Sequence, residues 1–345
     1  MINKTEQEVM STWEQSDTPL VSITCVAFNH ETYIEEAIDS FLMQETTFPF
    51  EILINDDVSS DRTIEILKTY EEKFPNIMRP IYQKVNQFSQ GINTMSLLFQ
   101  YVKGEYMAYC DGDDYWTDPK KLQIQVEAMQ KQPQYDMSYH TVTTLINNVR
   151  CATHEQRKAD CIVSTEEAIL GNGDVAHNSS LLIRTRIFDK LPEWIYRAPF
   201  GDYPMQILGS FSGGILYIHR DMSIYRIGEL NSWTNLSRTS NAQHKRVLFI
   251  NKFLNSLNEL TQKKYETEFH EIIRRNNFNF IKQLSFDLTQ REEVFKLGEK
   301  LFTAKEISMW NIFYKNLMIK YAFPHQIKNY IRNVLQKSKV WWYSF

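Results

Sequence analysis

Apolar and polar positions follow one repeating order over the first 120 residues: an apolar run, apolar residues at helical spacing, then a polar cluster. Leu20–Phe28 (LVSITCVAF) is a β-branched apolar run, the pattern of a strand buried on both faces. Ile34, Ile38, Phe41 and Leu42 then recur at helical spacing. The same alternation predicts a strand over 50–55, a helix over 61–74, a strand over 77–84, a helix over 92–102 and a strand over 105–110. Strands alternating with helices imply right-handed crossovers and an α/β fold with a mainly parallel central sheet flanked by helices. In such sheets ligands gather at the carboxyl ends of the strands.

Further along, Thr117-Asp118-Pro119 reads as a helix start, with the helix running to about Gln132. A strand is expected over 135–146, a polar connection over 148–161, and short strands over 179–184 and 214–226 around a helix at 203–208. From about residue 241 strand signals fade and the pattern turns helical. The expected organisation is a polar N-terminal segment over 1–18, a catalytic domain over 19–240, and a helical C-terminal extension over 241–345.

The dense polar clusters fall at the strand exits. The first strand ends at Phe28-Asn29-His30-Glu31, the second at Asp56-Asp57, the third leads to Lys84 and Asn86, and the fourth to Asp111-Gly112-Asp113-Asp114. Three carboxylates in four residues repel one another, and a hard divalent cation shared with substrate phosphates relieves that repulsion; a solvated acidic turn is the plain alternative. Asp56 and Asp57 can accept from a ribose hydroxyl or a base N–H, while Ser59, Ser60 or Asp61 suits a helix cap. Neither G-x-G-x-x-G nor a Walker motif occurs, which argues against a dinucleotide or P-loop enzyme and leaves phosphates to a metal.

Charge adds an asymmetry. The net charge of −4 gives no reason to expect a nucleic-acid partner. Yet 307–345 carries six basic residues and no acidic one, leaving the other 306 residues with 32 basic against 42 acidic. Over 311–345 the basic residues interleave with apolar ones and end in Val340-Trp341-Trp342-Tyr343-Ser344-Phe345. That pattern suits peripheral contact with an anionic membrane, with packing on the body or in a homo-oligomer as the alternative. The polar opening does not read as a signal peptide, and no uncharged run reaches the roughly 18–20 residues of a membrane span. The four scattered cysteines form no C-x-x-C pair. A cytoplasmic protein, peripheral on the inner face of the cell membrane, is the expectation.

The ordered set of motifs resembles family 2 glycosyltransferases of the GT-A (Rossmann-like) fold. It comprises F-N-H with Glu31, Gln44, ILIND-DVSSDRT, EYMAYCDGDDYW, His177-Asn178-Ser179-Ser180 before LLIRTRIF, Gly201-Asp202-Tyr203-Pro204, and GGILYIHRDMSIYRIG, spanning about Leu20 to Trp233. The resemblance implies a metal-dependent, inverting transferase using a nucleotide-sugar donor, a UDP-sugar, to glycosylate a hydroxyl of a glycan or lipid-linked acceptor in surface polysaccharide synthesis. It implies that Phe28, Asn29, Glu31, Asp56, Asp57, Lys84 and Asn86 line the nucleotide pocket. Asp111 and Asp113 fill D-x-D around Gly112 and would hold Mn²⁺ or Mg²⁺, with Asp111 nearer the ribose or diphosphate. Asp202 resembles the catalytic base, since an acceptor hydroxyl needs a carboxylate to take its proton. Arg226 is a candidate diphosphate partner, and Trp116 and His177 are weaker acceptor-site candidates, core packing being the commoner fate of a Trp.

Two departures stand out. Val58 and Arg62 occupy positions that the family usually fills with small residues, and no His follows Tyr225-Arg226. An inactive nucleotide-sugar-binding scaffold and a sugar-phosphate nucleotidyltransferase are the competing readings; the second would need a Gly-rich basic loop, which F-N-H-E-T-Y does not supply.

Overall fold

The computed structural model describes residues 3–16, 18–146, 149–154, 157–198, 201–227 and 240–284. A short helix α1 (Glu6–Met10) opens the chain, started by a reciprocal capping box between Thr5 and Glu8. Strand β1 (Val21–Ala27) is buried along nearly its whole length, as its β-branched run requires. Helix α2 (Ile34–Leu42) turns Ile34, Ala37, Ile38, Phe41 and Leu42 into the core. Then come β2 (Phe50–Asp56), fully buried, α3 (Thr63–Lys73) and β3 (Met78–Tyr82).

The helix expected over 92–102 does not form. Two short 3₁₀ segments, Phe88–Gln90 and Ser96–Tyr101, take its place. Leu98 and Phe99 are still buried, because a 3₁₀ turn also brings apolar side chains three residues apart to one side. Next come β4 (Tyr106–Tyr109), β5 (Tyr115–Trp116), α4 (Lys121–Lys131) and β6 (Met137–Ile146). The stretch read as a polar connection holds a strand, β7 (Val149–His154), and ends where another, β8 (Cys161–Val163), begins. Helix α5 (Thr165–Leu170), β9 (Leu182–Arg184), α6 (Asp202–Ser210) and the long β10 (Ile215–Ile227) follow. Helices Ser240–Leu260 and Glu266–Leu284 end the described chain.

The ten strands of the described residues join one sheet in the order β3-β2-β1-β4-β9-β6-β10-β5, with β7 added to β6 and β8 to β10. The β3-β2-β1-β4 half is parallel throughout, and β6 and β10 are also parallel. Antiparallel β9 joins these two parallel groups, while β5, β7 and β8 pair antiparallel at the other side. Register places Ala27, Asp56 and Tyr82 level across β1, β2 and β3, so their following loops emerge side by side at one edge. The core lies where the sheet meets its helices, with Ile23, Phe41, Leu67, Trp116, Leu122 and Val126 all at or near zero exposure.

Contacts divide the chain into two units, 1–239 with 249–269, and 240–248 with 270–345. Trp233 and the basic tail over 311–345 lie outside the described residues. No helix among the described residues is long and apolar enough to cross a membrane.

Candidate functional site

Four loops meet at the carboxyl edge of the parallel half, and hydrogen bonds from backbone N–H groups to side chains lace the first two together. Asn29, at φ 56°, donates its N–H to Ser59 Oγ (2.9 Å) and accepts the Ser60 N–H on Oδ1 (2.7 Å). The Glu31 N–H donates to Asp61 (2.9 Å), and the Glu31 carboxylate accepts the Arg62 N–H (3.1 Å). Phe28 has 39% of its surface exposed and Val58 38%. Val58 has φ 67°, a left-handed conformation that a β-branched residue rarely adopts. That turn brings the Ser59 N–H back onto Asp56 Oδ2 (3.1 Å).

The two residues of the first acidic pair have different surroundings. Asp57 is spent on the fold: Oδ1 accepts the Gln87 N–H (2.6 Å) and Oδ2 the Phe88 N–H (3.0 Å). Asn86 ties the same loop down through the Asp57 carbonyl (2.9 Å) and the Ser89 N–H (2.8 Å), while Lys84 is exposed. Asp56 is fully buried, and its Oδ1 has no hydrogen-bond partner among the described residues. A buried acceptor left unpaired is costly, so Asp56 is the better placed of the two to meet a ligand's N–H or O–H.

The fourth loop carries Asp111, Gly112, Asp113 and Asp114. Gly112 donates to the Val26 carbonyl (3.0 Å), and a Cβ there would stand 2.7 Å from His30 Nδ1, so this loop can lie against the first only with glycine. Asp111 accepts the Tyr109 hydroxyl on Oδ1 (2.5 Å) and the Asn178 amide on Oδ2 (3.0 Å). Burial, together with the neighbouring Asp113, pushes its pKa up to about 7; Asp202 is close enough to add to the effect. Asp114 is buried, and its pKa is raised well above the usual carboxylate range by burial and by Asp113 and Asp111.

Arg226 braces this loop from β10. Its backbone N–H donates to Asp114 Oδ1 (2.8 Å), its Nη1 to the Asp113 carbonyl (2.5 Å), and its Nη2 pairs with Glu36. The guanidinium lies over the rings of Tyr115 (4.7 Å) and Tyr33 (4.9 Å). Asp202 is the first residue of α6, with Gly201 as the N-cap. Among the described residues no three His, Cys, Asp or Glu side chains are arranged to hold a metal. The donor set nonetheless fits a hard cation, because Asp111 and Asp113 offer carboxylate oxygens whose mutual repulsion a cation would relieve. Such an ion would complete its shell with phosphate and water.

The profile of Glycosyl transferase family 2 matches residues 22–191, the segment that contributes all four loops, with Asp202 on α6 and Arg226 on β10 beyond it. The chain belongs to that family. An uncharacterized protein of Mycobacterium tuberculosis is 31% identical over 206 residues, covering 60% of this chain and 58% of that protein. The poly(ribitol-phosphate) beta-glucosyltransferase of Bacillus spizizenii is 35% identical over 98 residues, covering 28% of this chain and 15% of the relative. The chain thus spans well under two thirds of these relatives' lengths. Among solved structures, S. aureus TarS 1–349 in complex with UDP-GlcNAc superposes with a TM-score of 0.63 at 16% identity, over 81% of this chain and 80% of that one. At that identity the likeness shows the fold, a GT-A arrangement.

Within the family 2 frame, the structure brings Phe28, Asn29, Glu31, Asp56, Asp57, Asn86, Asp111, Gly112 and Asp113 onto adjoining loops. Trp116 is a correction. It is 1% exposed, packs on Phe41 at 4.8 Å and donates its indole N–H to the Ser179 carbonyl (2.9 Å), so no acceptor reaches its ring in this arrangement. His177 is half-buried and stacks on Tyr225 at 4.8 Å. Sequence reasoning missed Tyr109 and Asn178 as partners of Asp111. Tyr109 reads as an ordinary apolar strand residue, and Asn178 is remote in sequence; its only signal was membership of the His177–Ser180 motif.

Proposed function

We propose that this chain is a metal-dependent, inverting glycosyltransferase that moves a sugar from a UDP-sugar to a hydroxyl of a glycan or lipid-linked acceptor in surface polysaccharide synthesis. The observation that carries this reading is the gathering of Asp111, Asp113 and Asp202 at the carboxyl edge, close enough that each of the other two raises the pKa of Asp111. The uridine donor is supported by the UDP-GlcNAc bound in TarS, and the polymer acceptor by the name of the poly(ribitol-phosphate) relative. The catalytic domain would span 19–240, with 241–345 as the helical extension whose basic tail over 311–345 meets the membrane.

In this mechanism the base and ribose lie over Phe28 and beside Asp56, whose unpartnered Oδ1 accepts from the nucleotide. Asn29, Glu31, Asp57 and Asn86 hold the loops in shape, and Lys84 stands exposed at the rim. Asp111 and Asp113 would hold Mn²⁺ or Mg²⁺, which when bound supplies positive charge to the departing diphosphate. Arg226 fixes the carbonyl of Asp113 and thereby the loop's course. Asp202 takes the proton of the attacking hydroxyl from the face opposite the leaving group, so the anomeric carbon inverts in one displacement.

Incubation with MnCl₂ and a panel of UDP-sugars, followed by assay for released UDP, tests the reading. Turnover is expected with at least one donor, and Asp202→Asn should lower it about 10²- to 10⁴-fold while UDP binding persists. Near-wild-type transfer by Asp202→Asn would remove Asp202 from the base role. Binding of a nucleotide-sugar without turnover would favour the scaffold reading, and failure of every nucleotide-sugar to bind would overturn both.

A further inference from the structure

Asp111 is held at both oxygens by neutral donors, Tyr109 from its own strand and Asn178 from a turn 67 residues away. Beside a carboxylate an amide must present its NH₂, so the orientation of Asn178 follows from chemistry. Its Oδ1 is then turned elsewhere, shut off from solvent and without a partner among the described residues. Burying that end unpaired costs free energy, as it does at other buried amides such as Gln125. The contact with Asp111 is what this side chain supplies.

The turn that carries Asn178 is pinned at every neighbour. His177 stacks on Tyr225, and the Ser180 hydroxyl donates to the His177 carbonyl (2.6 Å). Ser179 Oγ pairs with Ser223 Oγ (3.0 Å), and the Ser179 carbonyl accepts the Trp116 indole (2.9 Å). The Ser180 carbonyl accepts Gln125 Nε2 (2.9 Å). Trp116, buried, therefore acts behind the site as part of this clamp. The choice of donor matters as much as its rigidity. An Arg or Lys at 178 would neutralise Asp111 and cancel its attraction for a cation, whereas an amide fixes one lone pair and leaves the charge.

The geometry points to Asn178 as a positioning residue that holds Asp111 in place for the divalent cation of a bound nucleoside diphosphate. The inference rests on the glycosyltransferase reading above. Binding of UDP by calorimetry at rising MnCl₂ tests it on the full chain, with thermal melting of the same samples. Asn178→Leu keeps the side chain's size and shape and removes the amide; it should need about 10- to 100-fold more Mn²⁺ for half-maximal UDP binding, with a melting temperature within a few degrees of wild type. Asn178→Ala should move the Mn²⁺ requirement the same way and serves if the leucine variant folds poorly. A lowered melting temperature with an unchanged Mn²⁺ requirement in both variants would overturn the inference and leave the glycosyltransferase reading standing. If wild type binds no UDP at any Mn²⁺ concentration, the reading fails and the inference falls with it.

Discussion

The two acidic loops at the carboxyl edge resemble each other in sequence and differ in what surrounds their charge. Asp57 faces backbone N–H groups of the 83–91 loop, which belong to the fold and need nothing further. Asp111, Asp113 and Asp114 face chiefly one another; neutral donors hold Asp111, and the cation that acts on Asp114 is Arg226, already paired with Glu36. A carboxylate answered by amides is architecture, and one left opposing its own kind marks where a ligand's charge is to arrive. Asp56 lies between these cases, one oxygen used and one unpaired.

The widest break in that comparison should come from Asp57→Ala. It orphans two N–H groups bonded to a buried carboxylate and should cost about 3 kcal/mol of stability, read as a lower urea midpoint. Asp111→Asn should act in the opposite sense. It removes a charge the fold resists, so the metal-free protein should melt higher than wild type, while the Mn²⁺ requirement for UDP binding rises at least tenfold. The pH dependence fixes the sign. The folded pKa of Asp111 is raised from 3.8 to about 7, so the cost of ionising it is absent below pH 4, grows through the window and is complete above 7. The melting advantage of Asp111→Asn should therefore open as pH climbs from 4 to 8. Over the lower part of that range, wild-type affinity for Mn²⁺ should fall up to about tenfold per pH unit below 7, because proton and cation compete. The smallest effect is expected at Val58→Gly. Relief of the left-handed strain, less the entropy glycine adds to the unfolded chain, should raise stability by about 1 kcal/mol, seen as a higher urea midpoint at unchanged slope.

Much of the parallel half was legible because its strands are buried on both faces and read as continuous apolar runs. Strand β7 was not, since its described side chains are exposed and carry no alternation; only pairing with β6 makes it a strand. The 3₁₀ segments over 88–101 share their three-residue apolar spacing with an α-helix, so periodicity alone could not separate them. At the site, residue types at strand exits pointed to Asp56, Asp111 and Asp113, but not to which carboxylates the fold itself consumes. That depends on amides in other loops, as at Gln87 and Phe88. Trp116 looked like a sugar platform from its neighbours in sequence, whereas the partners that bury it are Phe41 and the turn at Ser179.

The brace from Arg226 has a consequence in time. Its bonds to the Asp111–Asp114 loop close over 112 and 113 residues. At a synthesis rate of about 5–20 residues per second, the loop leaves the ribosome roughly 6–22 s before the strand that locks it. Through that interval the nascent chain presents like charges with no brace, and the site is completed only when one of the last strands docks.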